Sequence, residues 1–221
     1  MRRSRRCVLL LLNGELPDRG LVRRLARRCR LLVCADGGAR HARSLNLVPD
    51  AVVGDMDSLP RPLPRSWSKT LYCCDFNEDV SDFEKALAFI SRAGCRRLYV
   101  AGLLGGRLDH ALVNLALARR CARRLSLVVV HRGLAALLGP GRHRLGFKRG
   151  ELLSLLAASG AARLSVAGVR YPLRRATLVP GGRGLSNVAR GPVSLAVHSG
   201  LVWAMAPIAP GKARPSRALI F

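Results

Sequence analysis

Six short apolar runs punctuate the first 130 residues: CVLLLL (7–12), LLVCA (31–35), AVVG (51–54), TLYCC (70–74), RLYVAG (97–102) and LSLVVV (125–130). Nearly every one is continuous instead of alternating, the signature of strands buried on both faces. Helical patterns fill the gaps. One begins at Pro17 or Asp18 and places Leu21, Val22, Leu25 and Ala26 on one face. A short one follows Asp36-Gly37-Gly38. A third, capped by Ser81 or Asp79, runs to about Arg92 with Phe83, Ala86, Leu87 and Ile90 on one side. A fourth opens at Asp109 and continues through Cys121. Strands alternating with helices imply a parallel sheet with helices on both faces. Ligands of such sheets bind beyond the carboxyl ends of the strands.

After residue 131 the texture changes. Short runs separated by Gly and Pro take over: LAALL, HRLGF, LLSLLA, ARLSVAGV, LSNVA, VSLAVHSG and LVWAMA. They read as an antiparallel sandwich or barrel of roughly seven to eight strands. The expected division is an α/β domain over residues 1–132 and a β-rich domain over 133–221. Trp203 sits in an apolar run and reads as core, and the tail PIAPGKARPSRALIF reads as loose.

Charge is the most conspicuous feature of the composition. Thirty-eight Lys and Arg face 13 Asp and Glu, a net charge of +25. Half the residues are apolar, which excludes a disordered basic tail. Lys occurs only at 69, 85, 148 and 212, aromatics are 5%, and the arginines come in scattered pairs. The charge therefore reads as a compositional arginine bias with no specific nucleic-acid partner. Seven cysteines without CxxC or His/Cys ligand spacing fit a reducing, cytoplasmic setting. The basic-then-apolar start is too short for a secretory signal, and no stretch approaches a membrane helix.

Twelve of the 13 acids precede residue 110. Asp36 precedes Gly37, Asp55 and Asp57 stand at i and i+2, Asp79 and Asp82 lie one helical turn apart, and Asp109 follows Gly105-Gly106-Arg107. All fall at strand ends or just after them. Carboxylates grouped in an acid-poor chain suit a hard divalent cation, above all Mg²⁺, which takes one or two carboxylates plus substrate phosphates. Gly105 and Gly106 can offer backbone N–H groups to phosphate, and Arg107 can fork onto its oxygens. Taken singly, each cluster reads more readily as a turn or a helix cap; their joint occurrence after successive strands favours the functional reading. His41 and His110 read as structural, and Lys85 as either a phosphate contact or a solvated helix face, the latter favoured. Neither a P-loop nor a dinucleotide fingerprint is present.

In order, ADGGA (35–39), GDMDS (54–58), EDVSDFEKAL (78–87), GLLGGRLDH (102–110) with Asn114, YPL (171–173) and GLSN (184–187) resemble the thiamine pyrophosphokinase family. The resemblance covers about residues 7–205. It implies an N-terminal α/β nucleotide-binding domain, a C-terminal antiparallel β-sandwich, and a homodimer whose thiamine site is built between subunits. It implies transfer of the diphosphate of ATP to the thiamine hydroxyl with release of AMP. By the same resemblance Asp55, Asp57, Asp79 and Asp82 are metal candidates, and Asp82, Asp55, Asp57 and Arg107 carry catalysis. Asp36, Gly37, Gly105, Gly106, Arg107 and Asp109 face ATP, while Glu78, Asp82, Ser186 and Asn187 face thiamine. Glu78 stands where relatives often carry Gln or Lys, and Val188 where many carry Glu. The rival readings are a pyrophosphokinase for another hydroxymethyl heterocycle, such as a pterin, and a non-catalytic basic nucleic-acid-binding protein.

Overall fold

The computed structural model describes residues 4–122, 125–207 and 218–219, with side chains from Cys7 onward. It divides into two compact units, one holding the residues up to Ala118 plus Val129–His131, the other Arg119–Val128 and the residues from Arg132 on.

In the first unit the strands are β1 (Ser4–Leu11), β2 (Cys29–Ala35), β3 (Ala51–Gly54), β4 (Leu71–Cys74) and β5 (Arg97–Ala101), together with the last three residues, Val129–His131, of β6 (Ser126–His131). Strands β5, β1, β2, β3 and β4 are parallel and adjacent in that order. The central strand β1 is buried on both faces, Val8, Leu9, Leu10 and Leu11 being 0% exposed. That is why its sequence is a run and not an alternation. The chain leaves β1 toward β2, β3 and β4 and returns on the opposite side of β1 as β5. This reversal opens a crevice at the carboxyl ends of β1 and β5.

Four helices connect these strands. Helix α1 (Arg19–Arg28) buries Leu21, Val22, Leu25 and Ala26, the four residues its periodicity marks. Its first turn is closed by Asp18, whose carboxylate accepts from Leu21 N–H at 2.8 Å, and Arg27 and Arg28 face its negative end. Helix α2 (Gly38–Ser44) follows β2 directly. Helix α3 (Asp82–Arg92) is capped by Ser81, whose Oγ accepts from Glu84 N–H. Helix α4 (Leu108–Cys121) begins in the glycine loop after β5.

The second unit is antiparallel: β7 (Gly133–Leu138), β8 (Gly141–Leu145), β9 (Leu152–Ala157), β10 (Ala162–Val169), β11 (Leu173–Leu178), β12 (Asn187–Ser199) and β13 (Val202–Pro207). One layer is β7-β13-β9. The other is β11-β10-β12-β8, and the start of β12 also pairs with β9. Leu153, Leu155, Leu164, Val193, Leu195 and Val202 are almost fully buried, and Trp203 is core as its apolar run indicates.

Three expectations for this unit are corrected. LSNVA and VSLAVHSG are not two strands but most of one 13-residue strand, β12. LRRATL forms β11, a strand hidden by two adjacent arginines that break the alternation at a bulge. The tail is not loose throughout. Ala218 and Leu219 are buried, and the Ala218 carbonyl accepts from Gly146 N–H at 3.0 Å; residues 208–217 and 220–221 lie outside the described residues. Among the described residues no helix is long and apolar enough to cross a membrane.

Candidate active site

The loops after β1, β2, β3, β4 and β5 surround a cavity of about 820 Å³, within the range that holds small-molecule ligands. Its lining includes Asn13, Asp36, Gly37, Asp55, Asp57, Ser58, Phe76, Glu78, Asp82, Lys85, Gly105, Gly106, Arg107, His110 and Asn114.

Backbone geometry at the end of β3 gathers the acids. Gly54 has φ +148°, and a Cβ there would lie 2.8 Å from the Asp36 Cβ and 3.0 Å from an Asp82 carboxylate oxygen. A side chain at 54 would thus drive Asp36 and Asp82 apart. Asp55 accepts from Asp57 N–H at 3.2 Å, and Met56 between them has φ +71°. This tight turn points both carboxylates to one side. Asp36 also sits at positive φ, its N–H bonded to the Val53 carbonyl and its Oδ1 accepting from Ser58 N–H at 3.3 Å. Asp36, Asp55 and Asp57 each offer an oxygen within 4.8 Å of the others.

That crowding appears in the protonation equilibria. Burial raises the Asp36 pKa, and Asp57 and Asp55 raise it further against the Ser58 hydrogen bond. Asp82 is pushed up to about 6, first by burial, then by Asp36, with Lys85 opposing. A site that resists holding all its charges at once is one that gains by receiving a cation.

Lys85 is not the solvated residue its position suggests. It is 7% exposed, and its Nζ donates to the Asp75 carbonyl at 2.7 Å and lies 3.8 Å from Asp82 Oδ1. A buried ammonium requires such partners. Here it ties the segment after β4 to the start of α3.

Arg107 lines the cavity, and Asp109 grips it from outside the lining. The contacts are Nε to Oδ1 at 3.2 Å and a second guanidinium nitrogen to Oδ2 at 2.6 Å. This fork and the His110 N–H hold the Asp109 pKa down to about 2. Asp79 likewise lies outside the lining, its N–H bonded to the Asn77 side chain at 2.9 Å. Glu78 lines the cavity. His41 donates to the Gly14 carbonyl at 2.7 Å in a structural role.

Ser186 and Asn187 belong to the second unit. Ser186 has φ +55°, and its N–H donates to Ser154 Oγ at 3.0 Å. Asn187 is buried; its Oδ1 accepts from Tyr171 N–H and Val188 N–H, and its Nδ2 donates to the Tyr171 carbonyl. Tyr171 itself is 60% exposed, with the Arg170 guanidinium 5.3 Å from its ring centre.

Some cavity residues escaped the sequence reading: Asn13 and Phe76 were not marked at all, and His110 and Lys85 were set aside as structural or solvated. Asn13 and Phe76 follow β1 and β4, so their place after strand ends was the available signal. Phe76 is 73% exposed, an unusual position for a phenyl ring unless something covers it.

Residues 22–130 match the family model described as thiamin pyrophosphokinase, catalytic domain. Over that segment the chain is similar to the thiamine pyrophosphokinase family. Thiamine pyrophosphokinase 1 of Oryza sativa subsp. japonica is 28% identical over 228 residues, 88% of this chain and 85% of that one. Thiamine pyrophosphokinase 2 of Arabidopsis thaliana is 29% identical, but the alignment spans only 50% of this chain and 49% of the relative. The fold agrees with the crystal structure of thiamine pyrophosphokinase from Bacillus subtilis at a TM-score of 0.78 and 18% identity, covering 92% of this chain and 100% of that one. For thiamin pyrophosphokinase from Candida albicans the values are 0.77 and 18%, covering 91% and 89%. The matched segment contains all the acids of the cavity.

Proposed function

We propose that this protein transfers the diphosphate of ATP to the hydroxyl of thiamine, giving thiamine diphosphate and AMP. The observation that carries the reading is the convergence of Asp36, Asp55, Asp57 and Asp82 with Arg107 and two loop glycines on one cavity. Similarity to the thiamine pyrophosphokinases supports the choice of substrates.

Asp36, Asp55 and Asp57 fit Mg²⁺, since their donor atoms are all carboxylate oxygens gathered within 4.8 Å. When bound there, Mg²⁺ orients phosphate oxygens and offsets their charge. Asp36 thus joins the pair that the i, i+2 spacing indicates, and Asp79 and Asp82 are left to other roles. Gly105 and Gly106 present N–H groups to phosphate, and Arg107 takes the charge that develops as the diphosphate leaves AMP. Asp109 holds Arg107 in place for that contact. Asp82 accepts or orients the proton of the attacking hydroxyl; an acid raised to about 6 is well matched to that task near neutral pH. Lys85 fixes the position of Asp82. Phe76 offers an aromatic face to a cationic thiazolium, beside Glu78.

The second unit supplies the remaining recognition, with Ser186 and Asn187 acting from the partner subunit of a homodimer. Asn187 does so by holding exposed Tyr171. Seven cysteines with no disulfide among the described residues accord with a cytoplasmic enzyme. The test is AMP release from ATP. It should require both thiamine and Mg²⁺, and a rate unchanged without thiamine, or greater with a hydroxymethylpterin, overturns the reading.

A further inference from the structure

Diphosphate transfer makes no use of the outward face of the β11-β10-β12-β8 sheet. Between residues 132 and 207 the chain carries eleven Lys and Arg against a single acid, Glu151. Composition explains their number but not their placement. Leu145, Leu164, Val166, Val193, Leu195 and Val197 are buried, so the alternate positions of these strands face out.

Cross-strand register then shows what shares that face. Arg144 pairs with Ser194 and Arg142 with Ala196. Ser194 and Ala196 pair in turn with Ala167 and Ser165 of β10. On the far side Arg163 pairs with Thr177, and Arg174-Arg175 bulge opposite Ser165. The Arg175 N–H donates to Ser165 Oγ at 2.9 Å, and Arg163 Nε donates to the Arg175 carbonyl at 3.4 Å. All five arginines are exposed, and none makes an ion pair within 4.0 Å among the described residues.

The result is a shallow trough. Its floor is short side chains, Ser165, Ala167, Ser194 and Ala196. Arginines stand along both edges, β8 and β11, which are three strand spacings or about 14 Å apart. In the first unit Arg19, Arg23, Arg40 and Arg43 donate to backbone carbonyls of their own unit, as, among the described residues, only Arg163 of the five trough arginines does.

We propose that this trough binds the phosphate backbone of double-stranded nucleic acid without reading its sequence. Two rows of arginine forks match two rows of phosphates. The floor carries no amide side chain to read base edges, and its one ring, His198, is tied to Ser165 at 2.9 Å. A membrane surface fits less well, because no large apolar side chain projects from the floor to insert.

The test is fluorescence anisotropy of a labelled 20-base-pair DNA duplex with the full chain, titrated from 50 to 200 mM salt. Replacing Arg142, Arg144 and Arg174 together by Ser should shallow the slope of log affinity against log salt by roughly 3, about 0.9 per lost phosphate contact. The same three positions as Lys should keep most of the slope, which separates lost charge from lost folding. A duplex of unrelated sequence should bind equally. As a control, Arg24, Arg27 and Arg92 of the first unit, also exposed, should change the slope by less than about 1 when replaced by Ser. An equal loss from the control triple overturns the proposal in favour of diffuse charge. Absence of duplex binding at 50 mM salt overturns it, as does a triple variant that loses binding to phosphatidylserine vesicles but keeps duplex binding.

Discussion

Asp55 and Asp57 are alone in being marked both by sequence spacing and by the three-carboxylate geometry. Neutralising either carboxylate weakens the cation site without touching the core, since both residues lie at the cavity surface. Asp55→Asn or Asp57→Asn should therefore cut AMP release at least ~100-fold, the scale of losing a preorganised charge-stabilising group. The melting temperature without Mg²⁺ should hardly change. A near-normal rate at saturating Mg²⁺ in either variant would remove that residue from the metal site. Asp82 makes a different prediction, about stability. Its folded pKa of about 6 exceeds the ordinary value of 3.8, so folding favours its protonated form. That contribution is fully present below pH 3.8 and is lost as pH rises through about 6. In chelator and without nucleotide, Asp82→Asn should melt higher than the parent at pH 7, and the difference should vanish near pH 4. A difference independent of pH would show that Asp82 is not strained by its neighbours.

At the level of elements, the end of β3 decides whether the acids meet. Gly54 combines φ +148° with an approach of 2.8 Å to Asp36 that no side chain tolerates. Gly54→Ala should displace Asp36 or Asp82 and lower the rate at least tenfold, with weaker Mg²⁺ binding in titration calorimetry. Backbone strain of this kind costs on the order of 1–3 kcal/mol, so the variant should fold with a reduced melting temperature. Unchanged Mg²⁺ affinity would mean the two acids do not depend on that gap. Elements of this unit were legible because their causes are local: the caps Asp18 and Ser81 and the apolar stripe of α1 are written in consecutive residues. Lys85 was not, because its burial depends on where the Asp75 carbonyl arrives, a fact of tertiary packing. Strand β11 was missed for a related reason. Its two arginines belong to a bulge defined by the partner strand, and period-two reasoning assumes an unbroken ladder.

For the whole molecule, the motif order pointed to the family the chain is similar to and to the two classes of structure. The grouping of Asp36 with Asp55 and Asp57 needed the parallel order β2-β3, which brings residues 19 and 21 positions apart in sequence onto one rim. What the second unit adds to catalysis is the question that remains for experiment. The acids and loop glycines of the cavity serve phosphate and cation; reading a pyrimidine ring calls for placed polar groups in a mostly apolar pocket. Asn187 holds exposed Tyr171 by two side-chain hydrogen bonds, one accepted at Oδ1 from the Tyr171 N–H and one donated from Nδ2 to the Tyr171 carbonyl. If the segment Ser186-Asn187 completes a site in a homodimer, inactive chains should complement. Asp82→Ala disables the cavity, and Asn187→Ala releases Tyr171. Mixed under conditions that exchange subunits, a heterodimer with sites shared between chains regains one working site out of two. Up to a quarter of the parent rate is expected, since a random mixture is half heterodimer. Asn187→Ala must first be shown to fold, by its circular dichroism and melting transition, because it loses buried hydrogen bonds worth roughly 1–3 kcal/mol. With exchange confirmed by mass spectrometry of differently tagged chains, no recovered activity would mean that each site is complete within one chain, or that Asn187 takes no part in it.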